Sequence, residues 1–384
     1  MRITEKTIKW REFCEDVIIR ASPVMSTLCN SIFRLEPYKN CMFQCRYCYA
    51  RAPTEKDVIV VRKNYPSLFK RLVSILRRTL NGVLPAFRLS TLSDPFQPIE
   101  KKYKLSLEIL KIAKKYEVPI ILNTKGTLLV DEPWISLINE LNKRGLIIVQ
   151  ITIVLLDDDE ARIIEPLAPP PSERLSVAKA LAEKEIPVIF RFQPLVPYVN
   201  TSVKYVEKFA NIAKRIGIKQ VISEFLRYRY DHEILPFTEI LRLRGEKPNK
   251  LLDSNIWEDI PETIQKRAKV DIRRAIFKEI HDILRTHNIN FSTCREGFFR
   301  YHTADSCCGV HYLSKVLWRK TIYELKSQQT SIKENIVLFD NSFLTSFKIR
   351  RIREKLKEHF AMLSKVINDT QLLRQICPDC DLFL

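Results

Sequence analysis

Residues 32–50 read Ile32-Phe33-Arg34-Leu35-Glu36-Pro37-Tyr38-Lys39-Asn40-Cys41-Met42-Phe43-Gln44-Cys45-Arg46-Tyr47-Cys48-Tyr49-Ala50, a short apolar run followed by three cysteines at CxxxCxxC spacing. The run at 32–36 predicts a strand. Downstream to residue 224, short β-branched runs alternate with longer amphipathic stretches. This pattern predicts strands near 86–91, 118–123, 147–154, 187–192 and 219–224, and helices near 66–80, 103–116, 132–143, 172–184 and 201–215. Pro66, Pro133 and Ser172 lie near helix starts, where a fixed φ or a capping hydroxyl favours initiation. Six β/α repeats imply a parallel sheet, and strands this apolar need cover on both faces. The fold class expected is therefore α/β, either doubly wound or curled into a partial barrel, with its chemistry at the C-terminal ends of the strands.

The cysteine loop directly follows the first strand. Three thiolates from one short loop can hold three corners of a cubane iron-sulfur cluster and leave the fourth iron open for chemistry. A structural zinc knuckle needs four protein ligands, and the loop offers no fourth Cys or His, since the first histidine in the chain is His232.

Seven other cysteines bring the total to ten, and no secretion signal is evident, so metal ligation is favoured over structural disulfides. Cys14 and Cys29 are scattered, whereas Cys294, Cys307, Cys308, Cys377 and Cys380 lie in the C-terminal part. Cys377-Pro378-Asp379-Cys380 supplies two adjacent corners of a tetrahedral site. Cys294 and one of Cys307 and Cys308 are the expected completion, giving a four-thiolate zinc site or an auxiliary cluster, with free thiols or a redox pair as the alternative. His302 and His311 are possible substitutes for one cysteine.

Beyond about residue 225 the rhythm shifts to longer helices near 261–286 and 347–366, the latter with Ile349, Ile352, Leu356, Phe360 and Leu363 on one stripe, and a strand-like piece at 288–293. The expected organisation is an N-terminal extension at 1–31, a barrel at 32–225 and a mainly helical C-terminal region at 226–384, with a soft boundary near Leu243 to Pro248. The longest nearly apolar run, Leu146 to Leu156, is far short of the roughly 20 residues that span a bilayer. A soluble cytoplasmic protein is expected.

Lys and Arg total 64 against 45 Asp and Glu, a net charge of +19 that favours a polyanionic partner such as nucleic acid. A thermophile's charged surface, with 20 prolines and 7 glycines, is the plainer explanation. Arginines alternate with aromatics at Arg227-Tyr228-Arg229-Tyr230 and again from Arg295 to Tyr301, a composition suited to single-stranded or flipped-out bases. The acidic run Asp157 to Glu160 reads as a solvated helix start.

The triad with Tyr47 just before its last cysteine resembles the signature of the radical S-adenosylmethionine (radical SAM) superfamily. Ser93-Asp94-Pro95-Phe96-Gln97-Pro98-Ile99-Glu100, Asn123-Thr124-Lys125-Gly126, Glu165-Pro166 with Arg174-Leu175, Pro194-Leu195-Val196-Pro197 and Cys307-Cys308-Gly309 extend this over residues 32–310. They resemble the branch of spore photoproduct lyase and its "DNA repair photolyase"-like relatives. The resemblance implies a partial (β/α)6 TIM-like barrel and a 4Fe-4S cluster on Cys41, Cys45 and Cys48 that cleaves SAM to a 5′-deoxyadenosyl radical, with an outside electron donor. It places Tyr47 against adenine and Ser93, Lys125 and Thr152 on SAM. Glu165, in a stiff proline-rich loop, either orients SAM or substrate or pairs with Arg174. A glycine-rich loop common in the superfamily is replaced here by Ser93-Asp94-Pro95. Thr91 and Leu92 stand where spore photoproduct lyase carries a cysteine hydrogen donor, so the substrate stays open. The function expected is repair or modification of DNA or tRNA. The alternatives are radical SAM modification of a peptide or protein, and a non-catalytic, metal-stabilised nucleic-acid-binding protein.

Overall fold

The computed structural model describes residues 1–50, 58–261, 263–326 and 333–380. Its main sheet has seven parallel strands: β1 (Phe33–Leu35), β2 (Phe87–Leu89), β3 (Ile120–Thr124), β4 (Ile147–Thr152), β5 (Val188–Leu195), β6 (Gln220–Phe225) and β7 (Asn290–Thr293). Every strand neighbours the one before it in sequence. Right-handed crossovers in a monotonic order put the connecting helices on one face, so the opposite face is enclosed only if the sheet curls. The result is a partial TIM-like barrel, with β1 and β7 as its edges.

Five of the expected helices form as α1 (Tyr65–Thr79), α2 (Leu105–Tyr116), α3 (Trp134–Asn142), α4 (Pro171–Ala182) and α5 (Val203–Ile216). The stretch expected at 103–116 is interrupted where Lys104 takes φ 53°. The 261–286 expectation is corrected to α6 (Val270–Thr286), because Trp257–Asp259 and Lys266–Ala268 pair as an antiparallel hairpin around Pro261, which lacks an amide donor. The strand-like piece assigned to the C-terminal region is β7, paired in parallel with β6.

Side-chain alternation sorts the core into two layers. Ile120, Leu122, Ile147, Val149, Ile151, Phe190, Phe192 and Val221 pack outward under the helices, while Ile121, Ile148, Ile189 and Ile222 point inward. The inward set meets Cys308, Val310, Leu313, Val316 and Trp318, so a segment from the C-terminal region fills the barrel. Two buried amides inside the barrel hold that segment by its backbone: Gln150 donates to the Cys308 carbonyl (2.8 Å), and Gln220 to those of Ser306 (2.9 Å) and Cys307 (3.2 Å). Gly309 sits at φ +78° against Ile189, where a Cβ would lie 2.2 Å from the Ile189 Cδ1.

Across the outside, the helix Pro23–Leu28 packs on α7 (Arg350–Asn368), whose Ile352, Leu356, Phe360 and Leu363 are buried. Among the described residues, no helix is long and apolar enough to cross a membrane.

Candidate active site

The cysteine loop leaves β1 through the short strand Tyr38–Lys39. Asn40 (φ 66°) and Gln44 (φ 51°) adopt left-handed backbone, which turns the loop back on itself. Gln97 clamps it, accepting from the Met42 amide (2.9 Å) and donating to the Asn40 carbonyl (3.3 Å), and the Arg46 amide donates to the Ile164 carbonyl (2.8 Å). Cys41, Cys45 and Cys48 thereby line one cavity of about 460 Å³, together with Tyr47, Ser93, Asp94, Lys125, Thr152, Arg191, Glu224 and Cys294. These residues span some 250 positions of sequence and converge at the C-terminal ends of the strands.

No group of three or more His, Cys, Asp or Glu is already positioned to hold a metal ion among the described residues. The fit of a cluster therefore rests on the donor set, which consists of three thiols from one loop turned toward one cavity. Burial pushes the Cys45 thiol up to about 12 and the Cys41 thiol well above its ordinary value, so thiolates here need the charge of a bound cation.

Three carboxylates organise the mouth. Glu36, directly after β1, accepts from the Thr91 amide (2.6 Å), the Thr91 hydroxyl (2.7 Å), the Leu92 amide (2.9 Å) and the Ser93 hydroxyl (3.3 Å), fixing the turn that follows β2. Asp94 accepts from the Lys125 amide (2.7 Å), the Thr124 hydroxyl (2.7 Å) and the Phe96 amide (2.9 Å), tying that turn to the one after β3. Glu165 receives a bond from the Arg174 guanidinium (2.5 Å) and another from the Tyr47 hydroxyl, while the Lys125 ammonium lies 3.7 Å away. Burial drives the Glu165 pKa up, but Arg174 and Lys125 more than offset it and leave the carboxylate below its ordinary range.

Each residue singled out for SAM lies on this wall. Ser93 is held by Glu36 and by the Tyr38 carbonyl (3.2 Å). The Lys125 Nζ stands 5.7 Å from the Tyr47 ring centre, and Thr152 ends β4 with its carbonyl accepting from Arg174 (3.2 Å). Glu165 pairs with Arg174, and both side chains are 1% exposed. Asp157 caps the helix Asp158–Ile164, in line with the solvated helix-start reading.

The second cysteine set does not close one site. Cys377 and Cys380 are joined to each other in a disulfide and pack with Leu372, Leu373 and Ile376. Cys294 and Cys308 belong to the barrel interior, with Cys307 packed against them. The four-ligand expectation is thus corrected: β7 and the barrel-filling segment carry three of the thiols inward, while the chain end bonds its own two sulfurs. His302 accepts from the Thr293 amide (3.0 Å), and His311 lies against the Ser306 hydroxyl (2.8 Å), so both have partners in the packed interior.

The arginine and aromatic runs also divide. Arg227 and Arg295 pair with Glu224 (3.0 and 2.7 Å) and Tyr228 is buried, whereas Arg229 is exposed beside the cavity and Tyr49 and Tyr230 are 43% and 45% exposed. Sequence reasoning missed Glu36, Arg88, Arg191 and Cys29. The one signal available was polarity inside strands, since Arg88 and Arg191 interrupt apolar runs.

No family model matches the chain. It is 29% identical over 171 residues to an uncharacterized protein of Methanocaldococcus jannaschii, covering 42% of this chain and 60% of that one. It is also 29% identical over 181 residues to an uncharacterized protein of Acidianus two-tailed virus, covering 46% and 58%. The chain spans about three-fifths of the length of these curated relatives. In three dimensions it has the fold found in spore photoproduct lyase complexed with dinucleoside spore photoproduct, with a TM-score of 0.52 at 16% identity over 74% of this chain and 78% of that one. The resemblance drawn from the motifs therefore extends to the architecture.

Proposed function

We propose that the chain is a radical SAM enzyme that acts on nucleic acid in the cytoplasm, repairing or modifying DNA or tRNA with reducing equivalents from an outside donor. The observation that carries this reading is the convergence of Cys41, Cys45, Cys48, Tyr47, Ser93, Lys125 and Thr152, from four separate strand ends, on one cavity. Cys41, Cys45 and Cys48 would hold a 4Fe-4S cluster, and Tyr47, Ser93, Lys125, Thr152 and Glu165 would receive SAM. When bound, these two groups supply one-electron cleavage of SAM and a 5′-deoxyadenosyl radical.

The protein's own contribution is placement. Lys125 offers a buried cation for a carboxylate, and its height is set by Glu165 and by the Asp94 bond to its backbone. The Arg174–Glu165 pair fixes the Tyr47 hydroxyl and hence the ring plane. Exposed Arg229 with Tyr49 and Tyr230 forms a rim where a phosphate can meet a cation and a base can stack, in keeping with the net charge of +19 and with the dinucleoside carried by the structural neighbour.

The test is anaerobic reconstitution followed by chromatography for 5′-deoxyadenosine. Wild type is expected to release it from SAM, and Cys41→Ala/Cys45→Ala/Cys48→Ala to release none while keeping its fold by circular dichroism. SAM cleavage that survives the triple substitution rules the reading out.

A further inference from the structure

Four thiols meet on the cavity floor, and neither the CxxxCxxC loop nor the terminal disulfide uses them. Cys29 ends the helix Pro23–Leu28, Cys294 follows β7, and Cys307 and Cys308 lie in the segment that fills the barrel. The Cys307 thiol is hydrogen-bonded to those of Cys294 and Cys308, and Cys29 faces both Cys308 and Cys294. Cys29, Cys294 and Cys308 are buried, Cys307 is partly so, and Cys29 and Cys294 reach the cavity wall.

The surrounding charge calls for anions at this spot. Arg88 is buried, donates to the Ser31 carbonyl (3.1 Å), and among the described residues has no carboxylate within ion-pair distance. The groups of opposite sign facing it are the thiols of Cys308, Cys29, Cys294 and Cys307. Arg191 donates to the side-chain oxygens of Gln150 (2.8 Å) and Gln193 (2.5 Å) and also faces Cys294. Its nearest carboxylate, Glu224, is already shared between Arg227 and Arg295. Buried guanidinium groups without a counter-charge are costly, because they stay protonated at any ordinary pH. Four thiolates around a doubly charged ion, or around a doubly charged cubane core, leave two negative charges to set against these two arginines.

We propose that Cys29, Cys294, Cys307 and Cys308 ligate a second, four-thiolate metal centre, a zinc ion or an auxiliary iron-sulfur cluster, in the floor of the cavity. With all ligands supplied by protein, the centre has no open position. It ties the N-terminal extension, β7 and the barrel-filling segment together. This assignment is independent of the SAM reading, since it uses none of the residues of the first loop.

The test uses full-length Cys41→Ala/Cys45→Ala/Cys48→Ala protein, prepared anaerobically and offered either Zn²⁺ alone or ferrous iron with sulfide. About one zinc or about four irons per chain are expected to remain after desalting, and the arm that fills names the metal. X-ray absorption should show four sulfur neighbours at about 2.3 Å. Adding Cys29→Ser and Cys294→Ser should cut the metal at least tenfold, whereas adding Cys377→Ser and Cys380→Ser should leave it unchanged. Absence of metal in both arms from a folded triple variant overturns the proposal. So do nitrogen or oxygen neighbours in the absorption spectrum, a reading that holds even where the Cys29→Ser/Cys294→Ser protein does not fold. Loss of metal with the Cys377→Ser/Cys380→Ser pair also overturns it.

Discussion

The mouth and the floor of the cavity are both rich in cysteine, yet they are built in opposite ways. At the mouth, Cys41, Cys45 and Cys48 come from eight consecutive residues, and the geometry around them is set by charge: Glu36, Asp94 and Glu165 take bonds from amides, hydroxyls and one arginine. At the floor, the thiols come from three distant stretches, and close packing holds them, with Gln150 and Gln220 pinning a segment that Gly309 lets in against Ile189. The mouth should therefore fail when a charge is removed and the floor when volume is added.

The largest effect on stability is expected at Glu165. Glu165→Gln leaves Arg174, 1% exposed, without its carboxylate, and breaking one side of a buried pair costs about 3–5 kcal/mol. Denaturant unfolding at pH 7 measures this. The pH dependence adds a sign. A carboxyl whose folded pKa lies below its unfolded value near 4.5 contributes stability above that pH and loses it as pH falls through the lower, folded value. The gap between wild type and Glu165→Gln should be constant from pH 7 to about 5 and narrow only below about 4.5. A gap that is absent at pH 7 would remove charge pairing as the organiser of the mouth.

Gly309→Ala probes the floor in the opposite sense. The added methyl meets the Ile189 Cδ1 at 2.2 Å on a backbone at φ +78°, so overpacking and left-handed strain together should cost about 2–3 kcal/mol. Adding Ile189→Val removes the clashing carbon and should return part of that loss. If the double variant is no more stable than Gly309→Ala alone, the strain is in the backbone and the packing account of the floor is wrong.

The same contrast explains what could be read from sequence. The six strands, the five helices between them and the cysteine loop are local patterns, each carried by a period of two or 3.6 or by three cysteines in eight residues, and all appear where expected. β7 was visible as an apolar run at 288–293, but its partner lies some 70 residues back, and strand pairing at that distance leaves no periodic trace. Cys29 had no motif at all. It reaches the floor only because the helix Pro23–Leu28 docks on α7 from the far end of the chain. The pairing of Cys377 with Cys380 was equally hidden, since CxxC spacing suits a metal corner and a disulfide alike. Arg88 and Arg191 were legible as polar interruptions of buried strands, and their meaning needed the thiols that face them.

The smallest effect expected is at Lys125, and it separates binding from architecture within the mouth. The Lys125 side chain is 18% exposed, sits 3.7 Å from Glu165 and 5.7 Å from the Tyr47 ring centre, and faces the cavity. Removing it leaves Glu165 still paired with Arg174 and leaves the backbone bond to Asp94 untouched, so the fold and the iron content of the first loop should not change. What is lost is one partly screened cation for a ligand carboxylate, so Lys125→Ala should weaken SAM binding about tenfold, equivalent to about 1.4 kcal/mol. Equilibrium dialysis of the reconstituted protein with SAM, set beside iron analysis of the same sample, measures both quantities. Unchanged affinity would reduce Lys125 to a counter-charge for Glu165, and a parallel fall in iron would make it a support of the cysteine loop.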